Sequence, residues 1–334
     1  MVKKILILKN DRTGDLITSL KTINKIIDKY KDQNITIYLS HINHKFSFIF
    51  PNIKKKIVSM NLTIIEKIEI FIYLLFNNID SVYILTPKNF YYYLPVIFRK
   101  IKFYGITVKA KKSRPSKFLL KYLHKYVVLD RINIKKRNST YNIQQQLVDF
   151  ETKRNHLVAP SKVMHNFNFP KKYVFFHYKH DFFHKLLKWE FDQIFDLIYF
   201  LSKNFENVLF SSEIFNERIN NLFSSKYNTY NFDDSNKYFI NQKNIYFLKN
   251  IDGYDLFSTI NHSAKIICPE GIISHIGYFL DKSMLSLLHF NLKNREDFIS
   301  QVISCKEWFP PDNYKYLVLK KDFNKSLNKI KRRI

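Results

Sequence analysis

Three short stretches carry residue types and spacings that can do chemistry. In the first, Asn10-Asp11-Arg12-Thr13-Gly14-Asp15 follows the apolar run Ile5-Leu6-Ile7-Leu8 and precedes leucines and isoleucines at helical spacing. Gly14 permits a tight strand-to-helix turn, and amides at a helix start can receive an anion. Asp15 then stands in the first helical turn, where a carboxylate can take a proton from a hydroxyl. The same position equally suits a carboxylate that only complements the helix dipole. Asp11, Arg12, Thr13 and Gly14 form the loop beside it. A GxGxxG dinucleotide fingerprint is absent.

The second stretch is Pro269-Glu270-Gly271-Ile272-Ile273-Ser274-His275, directly after the apolar run Ala264–Cys268. A glycine at a strand–helix junction lets backbone amides approach a diphosphate. Ser274 and His275 fall in the first helical turns, and Glu270 can accept hydrogen bonds from sugar hydroxyls. The alternative is structural: Gly271 as a turn glycine and His275 as a core histidine.

The third stretch runs from His177 to Trp189 and gathers Lys179, His180, His184, Lys185 and Lys188. Lysine is a point-charge binder of phosphate. His180 and His184 are four apart, but no HExxH pattern surrounds them, so no metal site is expected. Trp189 reads as a packing residue. Cys268 and Cys305 are distant and form no CxxC. That excludes a disulfide scaffold and a cysteine-based zinc site, and suits a reducing compartment.

The elements that must hold these loops alternate. Ile5–Lys9, Ile35–Ser40, Ser81–Leu85 and Lys102–Val108 read as strands, with helices over Leu16–Ile27, Ile64–Phe76, Phe90–Arg99 and Tyr141–Glu151. The second half repeats the theme. Tyr173–His177, Val208–Ser211, Ile245–Leu248, Ala264–Cys268 and Ser283–Leu288 read as strands. Helices are expected over Glu190–Phe205, Glu213–Leu222, Tyr254–Asn261, Ile272–Leu280 and Glu296–Cys305, and the tail Lys320–Ile334 reads as a basic helix. Such alternation implies α/β domains with parallel sheets covered on both faces. At 334 residues and 46% apolar, the chain has room for two of them. Their expected limits are 1–155 and 173–319, joined by a linker at 156–172 and followed by the tail at 320–334. Ligands in such sheets bind beyond the carboxyl ends of strands, which is where all three stretches fall.

The charge is lopsided: 55 Lys and Arg against 28 Asp and Glu, a net +27. Some of this is compositional, since three alanines and five glycines mark a chain from an A/T-rich coding sequence. Clustering is harder to attribute to drift. Between Arg99 and Arg137 lie fourteen basic residues and one acid, Asp130. There Phe118, Leu119, Tyr122 and Leu123 interleave with Lys117, Lys121 and Lys125 as in a basic amphipathic helix at an anionic membrane surface. A solvated charged face is the plainer alternative. No apolar run reaches the roughly 18 residues that spanning needs, and the four-residue run near the start is too short for a signal-peptide core of about 7–15. A cytoplasmic protein is expected.

Taken in order, the three stretches resemble glycosyltransferase family 9, the bacterial heptosyltransferases that build the lipopolysaccharide inner core. Asp11-Arg12-Thr13-Gly14-Asp15 looks like the family's D-R-x-G-D after its first strand. Pro269-Glu270-Gly271, three further residues and His275 are similar to its P-D-G-G-x-x-H variant. Leu280-Asp281-Lys282-Ser283 stands where L-G-K-P is usual, and His177–Trp189 occupies the place of a phosphate-binding loop ending in K-x-W. The departures are plain: Glu270 for aspartate, Ile272 for a second glycine, and Leu187 at the lysine position, with Lys188 one place off and Lys185 two.

The resemblance implies a GT-B fold, two Rossmann-like doubly wound parallel-sheet domains facing across a cleft. It implies metal-independent, inverting transfer of a heptose or similar sugar from an ADP-heptose-like donor to a lipopolysaccharide-core or other envelope glycolipid. No cofactor is implied, the nucleotide sugar being a substrate. By the same resemblance Asp15 is the base on the acceptor side. Glu270 holds donor hydroxyls, Gly271, Ser274 and His275 line the diphosphate site, and Lys188 or Lys185 neutralises the leaving diphosphate. The Arg99–Arg137 stretch is then expected to meet the cytoplasmic face of the inner membrane. Two other readings remain. One is a nucleic-acid-binding protein, suggested by the charge and 17% aromatic content, although no RRM, KH or zinc-finger pattern is present. The other is a GT-B scaffold that binds a nucleotide sugar without transfer.

Overall fold

A computed structural model describes residues 2–31, 33–108, 115–129, 140–149, 170, 172–212, 216–232, 237–238, 244–289 and 314–334. The chain forms two compact units that part near residue 157. Most of the expected linker, the helix expected over Glu296–Cys305 and much of the basic stretch lie outside the described residues.

The first unit holds β1 (Lys4–Lys9), β2 (Asn34–Ser40), β3 (Lys54–Val58), β4 (Ser81–Ile84), β5 (Lys102–Val108) and β6 (Lys125–Leu129). They pair in the order β3-β2-β1-β4-β5-β6, every neighbour parallel. Its helices are α1 (Thr13–Lys29), α2 (Ile64–Phe76), α3 (Asn89–Ile97), the single turn α4 (Lys117–Leu120) and α5 (Thr140–Gln145). Because the order turns at β1, crossovers of the usual right hand place helices on both faces. On one face α2, α3 and α4 pack Ile70, Leu74, Tyr91, Tyr92, Leu94, Leu119 and Leu120 onto Leu6, Leu8, Val82 and Ile84. The alternate residues of β1, Ile5 and Ile7, are also fully buried, as a doubly covered parallel strand requires. Behind them the Ser19 hydroxyl of α1 donates to Gln144 Oε1 at 2.8 Å.

The second unit holds β7 (Val174–His177), β8 (Val208–Ser211), β9 (Asn228–Asn231), β10 (Lys237–Tyr238), β11 (Ile245–Lys249), β12 (Lys265–Pro269), β13 (Met284–Leu288) and β14 (Tyr314–Val318). The order is β10-β9-β11-β8-β7-β12-β13-β14, parallel except for the β10–β9 pair. Helices α6 (Phe191–Asn204), α7 (Glu217–Ser224), α8 (Gly253–His262), α9 (Ile272–Phe279) and α10 (Phe323–Lys331) accompany it. The core is strongly aromatic: Phe176, Tyr178, Phe183, Trp189, Phe210, Phe223 and Phe247 pack together. The tail helix α10 belongs to this unit. Its Phe323 meets Trp189 edge-on at 5.0 Å, and the indole N–H donates to Lys321 O at 3.0 Å. Gly277 allows α9 to lie close on the sheet, since a Cβ there would come within 2.5 Å of Ile266 Cδ1.

Several expectations change. The basic helix expected through Lys125 is only the turn α4, and Lys125 opens β6. Leu119, Leu120 and Leu123 are buried in the first unit's core, so they are not a free apolar face. The expected helix Tyr141–Glu151 is the short α5, and that over Glu213–Leu222 is α7, started by the Asn216 side chain accepting from Ile219 N at 3.3 Å. Strands β3, β6, β9, β10 and β14 escaped the sequence reading. The lysines of Lys54–Val58 make β3 look like surface, and it is an edge strand, where lysine discourages further pairing.

Helix α2 is held by a reciprocal cap: Glu66 N donates to Thr63 Oγ1 at 3.2 Å and Thr63 N to Glu66 Oε2 at 2.7 Å. Against the cost of its desolvation, hydrogen bonds from Thr63 and from Ser59 N, the latter at 2.6 Å, pull the Glu66 carboxyl below the usual range. Thr63→Ala should therefore cost about 1 kcal/mol, read as a lower urea midpoint for the first unit, with far-ultraviolet dichroism otherwise unchanged.

Candidate functional site

Each sheet has a point at which successive connections turn to opposite sides, and the candidate loops sit there. In the first unit β1 lies between β2 and β4; in the second β7 lies between β8 and β12. The chain leaves the carboxyl ends of β1 and β4, or of β7 and β12, toward opposite faces, so a crevice opens there.

In the first unit the loop after β1 is tied down from all sides. Lys9 Nζ pairs with Asp11 Oδ2 at 2.9 Å and donates to Leu85 O, past the end of β4, at 3.1 Å. Asn10 Nδ2 donates to Ser59 O, and Asn10 Oδ1 accepts from Tyr91 OH, each at 2.8 Å. Asn43 Nδ2 reaches Lys9 O at 2.8 Å and Asp11 O at 3.1 Å, and Ser40 Oγ donates to Asp11 O at 2.7 Å. Asp11 is therefore a scaffold carboxylate. Burial lifts its pKa, the Lys9 ammonium opposes that, and the negative charge of Asp15 adds to it. Burial likewise lowers Lys88 beside it, against the pull of Asp11 and Glu66.

Asp15 differs. It is half-buried in the first turn of α1, and its backbone carbonyl accepts from Thr18 Oγ1 and Ser19 Oγ at 2.9 and 3.0 Å. Among the described residues its carboxyl has no hydrogen bond or ion pair, which leaves both oxygens available to a ligand. Arg12 is exposed, and Thr13 Oγ1 reaches Ile42 O at 3.4 Å. Gly14 is half-buried within the same turn. Sequence reading missed Lys9, Asn43, Lys88 and Tyr91. Only the polarity of Lys9-Asn10 at a buried strand end hinted at them.

In the second unit the corresponding ends belong to β7, β8 and β12. His177 Nδ1 bonds Ser211 Oγ at 2.9 Å across paired strand ends. Lys179 lies near enough to act on both His177 and Glu270. Glu270 stays open to solvent at one side, yet protein around its carboxyl raises its pKa while the Lys179 ammonium pulls it down. Gly271 caps α9 in extended backbone. Ser274 is buried and its hydroxyl is spent on that cap, donating to Gly271 O at 2.7 Å and accepting from Gly271 N at 3.1 Å. His275 stands half-buried one position on.

The loop after β7 winds as a π-helical turn, Asp181–Leu186. Lys185 is ion-paired to Asp181 at 2.8 Å, both exposed. Leu187 is buried in the core, whereas Lys188 is exposed with φ of 61°. That left-handed residue reverses the chain, so that Leu187 and Trp189 both enter the core while the lysine stays outside. His180 and His184 lie against each other at a tilt, ring centroids 4.7 Å apart, and Tyr178 OH meets His180 Nδ1 at 3.2 Å. Among the described residues no three metal-binding side chains gather in one place. The donor set expected from sequence omitted Lys179, although it directly follows β7. Its nearness to Glu270 exists only once β7 and β12 are paired.

His177 offers a direct reading of this site. Burial, reinforced by the Lys179 charge, pushes its pKa from 6.5 down to about 4. The folded protein keeps the ring neutral where the unfolded chain protonates it. Stability from this group is complete above pH about 6.5 and is lost as pH falls toward 4. The loss should amount to about 1–3 kcal/mol, reduced from the full shift because the ring retains some solvent contact. Urea midpoints of the protein and of His177→Gln should thus converge from pH 7 to pH 4. A constant difference would show that His177 does not titrate in this window.

No family model matches the chain, and no curated protein sequence matches it. Solved structures do. A glycosyl transferase of family 9 from Veillonella parvula DSM 2008 aligns with 99% of this chain and 90% of its own, at TM-score 0.59 and 12% identity. An E. coli heptosyltransferase solved with ADP aligns with 99% of this chain and 98% of its own, at TM-score 0.63 and 11% identity. A UDP-GlcNAc 2-epimerase from Methanocaldococcus jannaschii covers 98% and 92%, at TM-score 0.52 and 13% identity. The chain therefore has the two-unit α/β fold of the GT-B glycosyltransferases, which epimerases share. At such identities a shared fold does not carry a shared activity.

Proposed function

We propose that this chain is a glycosyltransferase that takes a nucleotide-sugar donor in its second unit and an acceptor hydroxyl in its first. The observation that carries the reading is the division of labour between the two strand-order reversals. One holds a carboxylate without a partner among the described residues, Asp15, on a rigid loop. The other holds Lys179, Glu270 and the start of α9 together.

In this reading Asp15 accepts the proton of the acceptor hydroxyl as its oxygen attacks the anomeric carbon from the side opposite the diphosphate. The C–O bond to the diphosphate breaks and the configuration inverts. Negative charge grows on the leaving phosphate oxygens, where fixed donors and cations lower the barrier. Gly271, His275 and the first amides of α9 supply the donors, and Ser274 holds that helix start in shape. Lys188, displayed by its left-handed turn, is the cation for the leaving diphosphate, with Lys185 secondary because Asp181 already neutralises it. Glu270 takes sugar hydroxyls, its charge steadied by Lys179. The chemistry needs no metal, since lysines and amides do that work. The donor is an ADP-linked heptose or similar sugar and the acceptor an envelope glycolipid. The support is the fold shared with the heptosyltransferase solved with ADP and the order of the sequence motifs.

Asp15→Asn should lower the transfer rate about a thousandfold, while calorimetric affinity for ADP stays within about twofold. Equal loss of both would remove Asp15 from the base role. Lys188→Ala should weaken ADP binding about tenfold, as loss of one charged contact does, and Lys185→Ala by much less. The reverse order would exchange their roles. Absence of binding for ADP, UDP, GDP and CDP alike would overturn the nucleotide-sugar reading.

A further inference from the structure

Helix α2 is apolar nearly all round, a composition that belongs to a buried helix, yet only one side of it is covered. At about 100° per residue, Ile70 and Leu74 face the core, and both are buried. Ile64, Ile65, Ile68, Ile72, Leu75 and Phe76 fall within one sector of about 120° on the other side, and they are 47–74% exposed. Only Glu69 touches the edge of that sector, while Glu66 is occupied by the helix cap. The apolar surface continues onto α3 and α4. Phe71 of α2 packs on Phe98 at 4.9 Å, and the Arg99 guanidinium covers Tyr122, which touches Phe118. That layer adds exposed Tyr93, Ile97 and Phe118, and its fringe carries exposed Arg99, Lys100, Lys117 and Lys121. A patch of this extent on one layer is unusual for a free monomer surface.

We infer that the outward face of α2, α3 and α4 docks on an anionic lipid bilayer, with the α2 isoleucines, Leu75 and Phe76 among the acyl chains and the fringing cations on the headgroups. Charge selects the occupant. A second copy packing this face against itself would set the same cations opposite each other, in a chain of net +27. An anionic surface meets both components at once: apolar side chains enter the interface and basic residues lie beside phosphates. The chain has no membrane-spanning helix among the described residues, so docking here is peripheral. The inference relocates the lipid contact expected from the basic stretch: Arg99, Lys100, Lys117 and Lys121 take part, but the apolar side chains come chiefly from α2. It does not depend on sugar transfer.

Cosedimentation of the full chain with vesicles tests it, without nucleotide or acceptor. The protein should bind vesicles of phosphatidylcholine mixed with phosphatidylglycerol and bind pure phosphatidylcholine more weakly. Ile68→Glu with Ile72→Glu should weaken that binding about tenfold or more, and Leu75→Gln with Phe76→Ser should do the same should the first pair aggregate. Lys117→Glu with Lys121→Glu should weaken binding to the mixed vesicles most at low salt. Unimpaired binding by both apolar pairs, or no vesicle binding by the parent chain, would overturn the inference. A dimer in sedimentation velocity that Ile68→Glu and Ile72→Glu dissolve would assign the face to a second copy instead. ADP affinity is the independent check: intact affinity with lost vesicle binding separates docking from the donor site.

Discussion

The handedness of the strand connections is the constraint on which the rest of this structure depends. A parallel strand can feed its successor only through a right-handed crossover. When the order reverses, at β1 and β4 or at β7 and β12, neighbouring strands must send their chains to opposite faces. The carboxyl ends at those points cannot be covered by the elements that leave them. What remains are loops whose backbone is held by buried strands on one side and left open on the other. The placement of Asp11, Asp15, Lys179 and Glu270 follows from that topology before any chemistry is considered.

Electrostatics then divides these groups into scaffold and reagent. Asp11 and Lys9 pair within the buried loop, Asn43 and Ser40 tie its backbone, and Tyr91 holds the Asn10 side chain. That network costs desolvation and returns a rigid loop. Four residues beyond Asp11, Asp15 keeps its carboxyl at the half-buried rim. In the second unit the same separation holds between Ser274, consumed by its own helix cap, and Lys188, turned outward by a left-handed residue between two core side chains. Groups bound by local hydrogen bonds shape these loops, and Asp15 and Lys188 stand at their edges, as the proposed transfer reaction needs.

Helix α2 shows what burial arithmetic alone would miss. Its apolar outer face is a cost in water, of the order of 25 cal/mol for each Å² left exposed. The helix persists because its cap and its inner face on β1 and β4 suffice to hold it. The lipid docking inferred above would remove that cost.

Local patterns made much of this legible in advance. Alternating strand and helix periods, a scarcity of glycine that made each one informative, and polar loops after apolar runs marked Asn10–Asp15, Glu270–His275 and His177–Trp189. The helices expected over Ile64–Phe76 and Ile272–Leu280 form nearly as read, and Trp189 packs in the core as expected. What the sequence could not settle are quantities set by residues distant along the chain. The lysines of β3 belong to a sheet edge only because β2 lies beside them. Lys179 attends Glu270 because β7 pairs with β12, some ninety residues later. The leucines beside Lys117 and Lys121 suggested a free amphipathic face. The core of the first unit claims them, and the apolar side exposed to solvent belongs to α2 instead. Periodicity tells which side of a helix is apolar, but burial is a sum over neighbours. Only the tertiary structure decides which apolar side is covered.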